Sequence, residues 1–189
     1  MKLACLLVAF VVALAFKCAA QGPNSSPSAS SPTAQVTHVS NSFEFTAHAP
    51  QSVVAPLFGA HSERAWAEGW DPQFLYPQPP DKAGVVFTVA HGGHTSTWIT
   101  TVFEPEKGHI QHVYFIPGAM VTLIDIRLTP AGAADTRVQV TYERTALAPE
   151  MNDHVQQMGN SDRQSANHWQ AAIENYLQQA AQGPKGQSK

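Results

Sequence analysis

Cysteine is nearly missing from this chain: among 189 residues there are only Cys5 and Cys18, both inside the first twenty. The remainder therefore has no thiol, which excludes a disulfide framework, a thiolate metal centre and a cysteine nucleophile. Charge is sparse as well, at 13%, with 11 basic and 14 acidic residues. That balance provides no basic face or stripe for DNA or RNA, so no nucleic-acid partner is expected. The longest apolar run, Leu3 to Phe16, has 14 residues, short of the roughly 20 that a helix needs to cross a bilayer. No GxSxG elbow, glycine-rich phosphate loop or HExxH helix occurs, and no cofactor or metal is expected. What the chain does have is 43% hydrophobic residues. This length and apolar content support one domain that buries roughly 70% of its unfolded surface without staples.

The first twenty residues read as an address. Lys2 precedes the apolar run, and Cys18, Ala19 and Ala20 supply small residues for cleavage, the pattern of a secretory signal peptide over residues 1–20. Cleavage after Ala20 removes Lys2 and Lys17, leaving nine basic residues against 14 acidic ones. The expected product is exported, periplasmic or extracellular, with no stable membrane insertion. Residues 21–39, rich in Ser, Pro and Ala, read as a flexible tether. A domain spans 40–181, and 182–189 form a frayed tail.

Within the domain, Phe43 to Ala47 alternates as a half-buried strand. Pro50 opens a short helix through Ala55, and Ser62 to Glu68 forms a second one closed by Gly69. Six further segments rich in Val, Ile, Thr and aromatics follow: Gln73–Tyr76, Gly84–Ala90, Thr95–Phe103, Ile110–Ile116, Met120–Leu128 and Thr136–Thr145. Short turn-forming separators, among them Pro117-Gly118 suited to a type II turn, make these an antiparallel meander. Val138, Val140 and Tyr142 share one face of the last strand. From Pro149 onward Met151, Val155, Met158, Ala166, Trp169, Ile173, Tyr176 and Leu177 recur at helical spacing. Gly159 and Asn160-Ser161-Asp162 weaken the middle of that helix, where a break or kink is expected.

This order resembles the START-like helix-grip superfamily, also called SRPBCC or polyketide cyclase/dehydrase and lipid transport. The phrases Glu63-Arg64-Ala65-Trp66-Ala67-Glu68-Gly69-Trp70-Asp71-Pro72, Tyr76-Pro77, Gly84 to Thr88, Pro117-Gly118 and Thr136 to Leu147 are similar to those of bacterial members. The resemblance covers about Ser40 to Gln179. It implies an α+β fold in which a curved antiparallel sheet of about six to seven strands wraps a long C-terminal helix. Two short helices after the first strand close one end of a mostly apolar cavity. Enzymes of the superfamily use one or two polar cavity residues to enolise or dehydrate polyketide-like substrates. Export sets this chain apart from the many cytoplasmic bacterial members.

Three groups of residues are candidates for chemistry. Nine histidines include the pairs His91/His94 and His109/His112. Strand positions three apart point to opposite faces, so His109 and His112 cannot share an ion, and all four are read as surface or loop residues. Asp125 and Arg127 alternate with Ile124, Ile126 and Leu128 and are read as a solvent-facing pair, with Glu143 and Arg144 as strand-end surface charges. The aromatics are the third group. Trp66 and Trp70, four apart on the second short helix, together with Phe87, Trp98, Tyr114, Tyr142 and Trp169, are the expected ligand-lining residues. The expectation is a monomeric exported protein that holds a small hydrophobic ligand, lipid-like or aromatic, between sheet and helix. The alternative is a cyclase- or dehydratase-like enzyme. A buried Asp, Glu or His facing the cavity beside Tyr or Arg is the feature that favours the enzyme.

Overall fold

The computed structural model describes residues 35–76, 80–91 and 93–182. The signal segment, most of the tether and nearly all of the tail expected from the sequence lie outside these residues. Seven strands form one antiparallel sheet in the order β1-β7-β6-β5-β4-β3-β2. They are β1 (His38–Ala47), β2 (Gln73–Tyr76), β3 (Val86–His91), β4 (His94–Glu104), β5 (His109–Ile116), β6 (Met120–Pro130) and β7 (Thr136–Ala146). β2 to β7 run as a meander, and β1 returns to pair with β7 along its whole length, from His38 opposite Thr145 to Ala47 opposite Thr136. A register shift between Thr100 and Val102 interrupts the β4/β5 pairing, the kind of bulge that bends a strand and increases its twist. β1 opens at His38, five residues before the strand read from the alternation at Phe43.

The inner face follows the period of two. Phe43, Phe45, Val138, Val140, Ile110, Ile124, Ile126 and Leu128 are all buried in one cluster. Pro117-Gly118 makes the expected type II turn, with Gly118 at φ 72° and the Ala119 amide donating to the Ile116 carbonyl over 3.0 Å.

Between β1 and β2 lie the short helix α1 (Gln51–Val54) and two 3-10 turns, Ala55–Phe58 and Ser62–Ala65. The second turn ends at Ala65, so Trp66 and Trp70 are not on a helix as the sequence suggested. Gly69, at φ 76°, turns the chain back instead. Asp81 holds this segment in place by accepting the His61 amide and the Ser62 hydroxyl, both over 2.7 Å. A Cβ at Gly59 would lie 2.5 Å from the Asp81 carboxyl carbon, so only glycine permits that approach.

The C-terminal helix comes in two pieces, α2 (Asn152–Asp162) and α3 (Ser165–Ala181). The break falls after Asp162. Gly159 stays inside α2 and serves close packing, since a Cβ there would meet Val39 and Asn41 of β1 at 2.8 and 2.9 Å. α2 packs on β1 and β7, and α3 on β1. Polar clamps hold them there: Arg163 Nε donates to Asn41 Oδ1 over 2.6 Å, and Gln170 Nε2 to the Thr46 carbonyl over 3.0 Å. Val155 and Ile173 are fully buried, with Met151, Met158, Ala166, Trp169, Tyr176 and Leu177 packed around them. No helix among the described residues is long and apolar enough to cross a membrane.

Candidate functional site

The helices cover the β1/β7 side of the sheet, and two adjoining chambers open under the rest. The larger, about 450 Å³, is lined by Val89, Trp98, Tyr114 and Met120 of the sheet, His154 and Met158 of α2, and the Ala67–Trp70 turn. The smaller, about 160 Å³, lies between Glu63, Trp66, His112, Ile124, Tyr142 and Trp169. They share Ala67, Glu68, Trp70 and Trp98. Both pieces of the C-terminal helix thus form cavity wall, through His154 and Met158 and through His168, Trp169 and Ala172.

Six of the seven sequence-selected aromatics reach these chambers. Trp66, Tyr142 and Trp169 line the smaller, Tyr114 the larger, and Trp70 and Trp98 both. Trp169 meets Trp66 at 5.4 Å and 61° and Tyr142 at 6.5 Å and 85°, so the three rings form the corners of a box. Trp70 stands nearly perpendicular to Trp98 at 5.1 Å, and Trp98 stacks on Tyr114 at 4.2 Å. Backbone carbonyls fix two of the indoles: Trp66 Nε1 donates to Leu57 and Trp70 Nε1 to Ala60. Phe87 is the exception. It is fully buried beneath Trp70, Phe74 and Trp98 and supports the wall without reaching either chamber.

Two residues read as surface groups are inside. His112 is 3% exposed. Its Nε2 donates to the Phe58 carbonyl and its Nδ1 accepts from the Thr100 hydroxyl, both at 3.1 Å. Burial lowers its pKa to about 4, so the ring is neutral and ties β5 to the first 3-10 turn. Arg144 is equally buried and binds Asp162, the Tyr114 hydroxyl and the Thr122 hydroxyl. A guanidinium can be buried when its donors are all met in this way. Its neighbour Glu143 is exposed as expected. Asp125 and Arg127 occupy the outer face, where Asp125 also binds His109 at 2.8 Å. His94 borders the larger chamber, and among the described residues no three His, Cys, Asp or Glu side chains converge on one point.

The residue that sequence reasoning passed over is Glu63. It is only 9% exposed and faces the smaller chamber, and its carboxyl has no hydrogen-bond partner among the described residues. Burial, and then the charge of Asp81, raise its pKa well above the ordinary value. Tyr142, also unpartnered at its hydroxyl, borders the same chamber, and burial pushes its ionisation upward, with Glu63 among the charges that add to the effect. Glu63 and Trp66 line the same chamber, a juxtaposition that the helix read from the sequence did not single out.

No protein-family model matches this sequence, and no curated protein does either. Solved structures do match. Norcoclaurine synthase from Thalictrum flavum superposes with a TM-score of 0.56 at 10% identity, over 79% of this chain and 89% of that one. Zhui aromatase/cyclase from Streptomyces sp. R1128 gives 0.56 at 13%, over 79% and 99%. The Mll3558 protein from Rhizobium loti gives 0.54 at 18%, over 76% and 99%. At such identities the likeness is one of fold: the seven-stranded antiparallel sheet closed over its C-terminal helices is the helix-grip fold that these structures share.

Proposed function

We propose that the protein binds a small, largely apolar molecule in the two joined chambers. The observation that carries this reading is the lining: aromatic rings and aliphatic side chains line chambers of about 160 and 450 Å³, which only together, or in the larger alone, reach the range of roughly 300–1,000 Å³ where ligand sites fall. A few polar groups, Glu63 and Tyr142 among them, are available to orient the occupant. Export by residues 1–20 and a monomeric state belong to the same reading.

Native mass spectrometry of the purified protein, with organic extraction and displacement of the neutral fluorophore N-phenyl-1-naphthylamine, tests it. The expected results are a copurifying apolar compound, or saturable fluorophore binding that Trp98→Ala and Trp169→Ala weaken. An absence of binding across a broad apolar library overturns the reading. N-terminal sequencing of the product outside the cell tests the export signal.

A second reading is favoured by one specific observation, the buried carboxyl beside a phenol. Two of the three structures described above bear enzyme names, a synthase and an aromatase/cyclase. In this reading Glu63 is a general acid/base for a cyclisation or dehydration of a polyketide-like substrate, with Tyr142 as hydrogen-bond donor. Turnover of a poly-β-ketone that Glu63→Gln abolishes supports it. Binding without turnover supports carriage.

A further inference from the structure

The polar end of the occupant can be read from what the smaller chamber leaves unpaired. Three of the four indole N–H groups are committed within the protein, Trp66 to Leu57, Trp70 to Ala60 and Trp98 to the Ser96 hydroxyl. Both nitrogens of His112 are committed as well. The Glu63 carboxyl, the Tyr142 hydroxyl and the Trp169 indole N–H remain on the chamber wall, the first two on residues more than nine-tenths buried.

The charged side chains on this wall are acidic, and His168 also lines it. Glu68 is a second acid on the wall, and Asp81 acts on Glu63 from behind its turn. Among the described residues no Lys or Arg lines the chamber. Arg144, whose guanidinium carbon lies 4.6 Å over the Tyr142 ring, is already bound to both oxygens of Asp162. A carboxylate-bearing ligand would meet the carboxyl groups of Glu63 and Glu68 and no Lys or Arg among the described residues. A neutral alcohol would gain a hydrogen bond. A protonated amine would gain the Glu63 charge and the attraction of the surrounding π-systems, the combination used by aromatic cages.

We infer that the smaller chamber takes the ammonium end of an apolar amine, held by Glu63 within the box of Trp66, Tyr142 and Trp169, with the apolar body in the larger chamber. The inference rests on the reading that these chambers bind a ligand. It also gives the raised pKa of Glu63 a physical sense, because an empty chamber lacks the one partner, a cation, that stabilises a buried carboxylate.

The test is displacement of N-phenyl-1-naphthylamine from the full chain by three compounds of one skeleton: 3-phenylpropylamine, 3-phenyl-1-propanol and 3-phenylpropanoate. The amine should displace the fluorophore at a concentration at least about tenfold below that of the alcohol, as a charge-assisted bond requires, and the carboxylate should fail. In Glu63→Gln the amine should lose that advantage while the alcohol is unchanged. If the amine is no better than the alcohol in the wild type, or if its advantage survives in Glu63→Gln, the inference is overturned and ligand binding still stands. If neither the fluorophore nor any of the three compounds binds, both fall. The wild-type comparison decides even if the variant does not fold.

Discussion

Arg144 of β7 grips both carboxylate oxygens of Asp162, the last residue of α2, with Nε to Oδ2 at 2.8 Å and Nη2 to Oδ1 at 2.7 Å. The pair joins the inner face of the sheet to the point where the C-terminal helix breaks. The same guanidinium also donates to Tyr114 Oη over 2.6 Å, next to the wall of the larger chamber.

Removing one partner leaves a buried charge uncompensated. Asp162→Ala should therefore cost about 3–5 kcal/mol, and replacing both members by apolar residues, Arg144→Met with Asp162→Leu, should cost less than that single change. Urea denaturation of the three proteins checks the order. A double variant less stable than Asp162→Ala would show that the pair contributes more than its own neutralisation.

His112 should make the fold sensitive to acid. Its pKa is lowered in the folded state to about 4 from an ordinary 6.5, so the stability it confers is complete above 6.5 and is lost as pH falls through about 4. The loss is about 3 kcal/mol. It should appear as the difference between the stability-against-pH curves of wild type and His112→Gln. Parallel curves between pH 6.5 and 4 would contradict the burial of a neutral imidazole.

Glu63 acts in the opposite direction. Its folded pKa is raised, so its contribution is fully present below about 4.5 and is lost as pH rises through the folded value. Glu63→Gln, which cannot ionise, should gain stability relative to wild type as pH climbs from 4.5 toward neutrality. Thermal melts at matched pH values measure this, and a gap that is constant with pH would place the carboxyl in water.

Trp169 is half-buried and meets Phe43, Phe58, Trp66 and Tyr142 ring to ring. Trp169→Ala should cost about 2–4 kcal/mol, somewhat less than a fully buried tryptophan. A urea midpoint unchanged within error would mean that α3 turns another face to the sheet.

Gly108 has φ 67°, and a Cβ there would run into the Leu128 carbonyl. Gly108→Ala should cost roughly 2–3 kcal/mol. Gly69, with φ 76° and open space around it, should tolerate alanine for about 1 kcal/mol. Equal effects would mean that the approach to Leu128 relaxes freely.

The sheet was legible because its information is local. Alternation along Val138, Val140 and Tyr142 marks an inner face whichever strand lies beside it, and Pro117-Gly118 specifies a turn through its own backbone preferences. The same alternation, carried two residues on, puts Arg144 on the inner face, and Ile110 and Tyr114 put His112 there. Side-chain chemistry argued against both placements. The tertiary structure decided the matter, because the free energy of a buried polar group is set by its partner, and the partners are remote in sequence: Asp162 for Arg144, the Phe58 carbonyl for His112. Glu63 shows the same limit from the other side. The sequence suggested a helix through it where a 3-10 turn forms, and the chamber it faces is bounded by strands β4 to β7, the Trp66–Trp70 turn and α3, so the burial that disfavours its ionisation exists only when those distant surfaces come together around it.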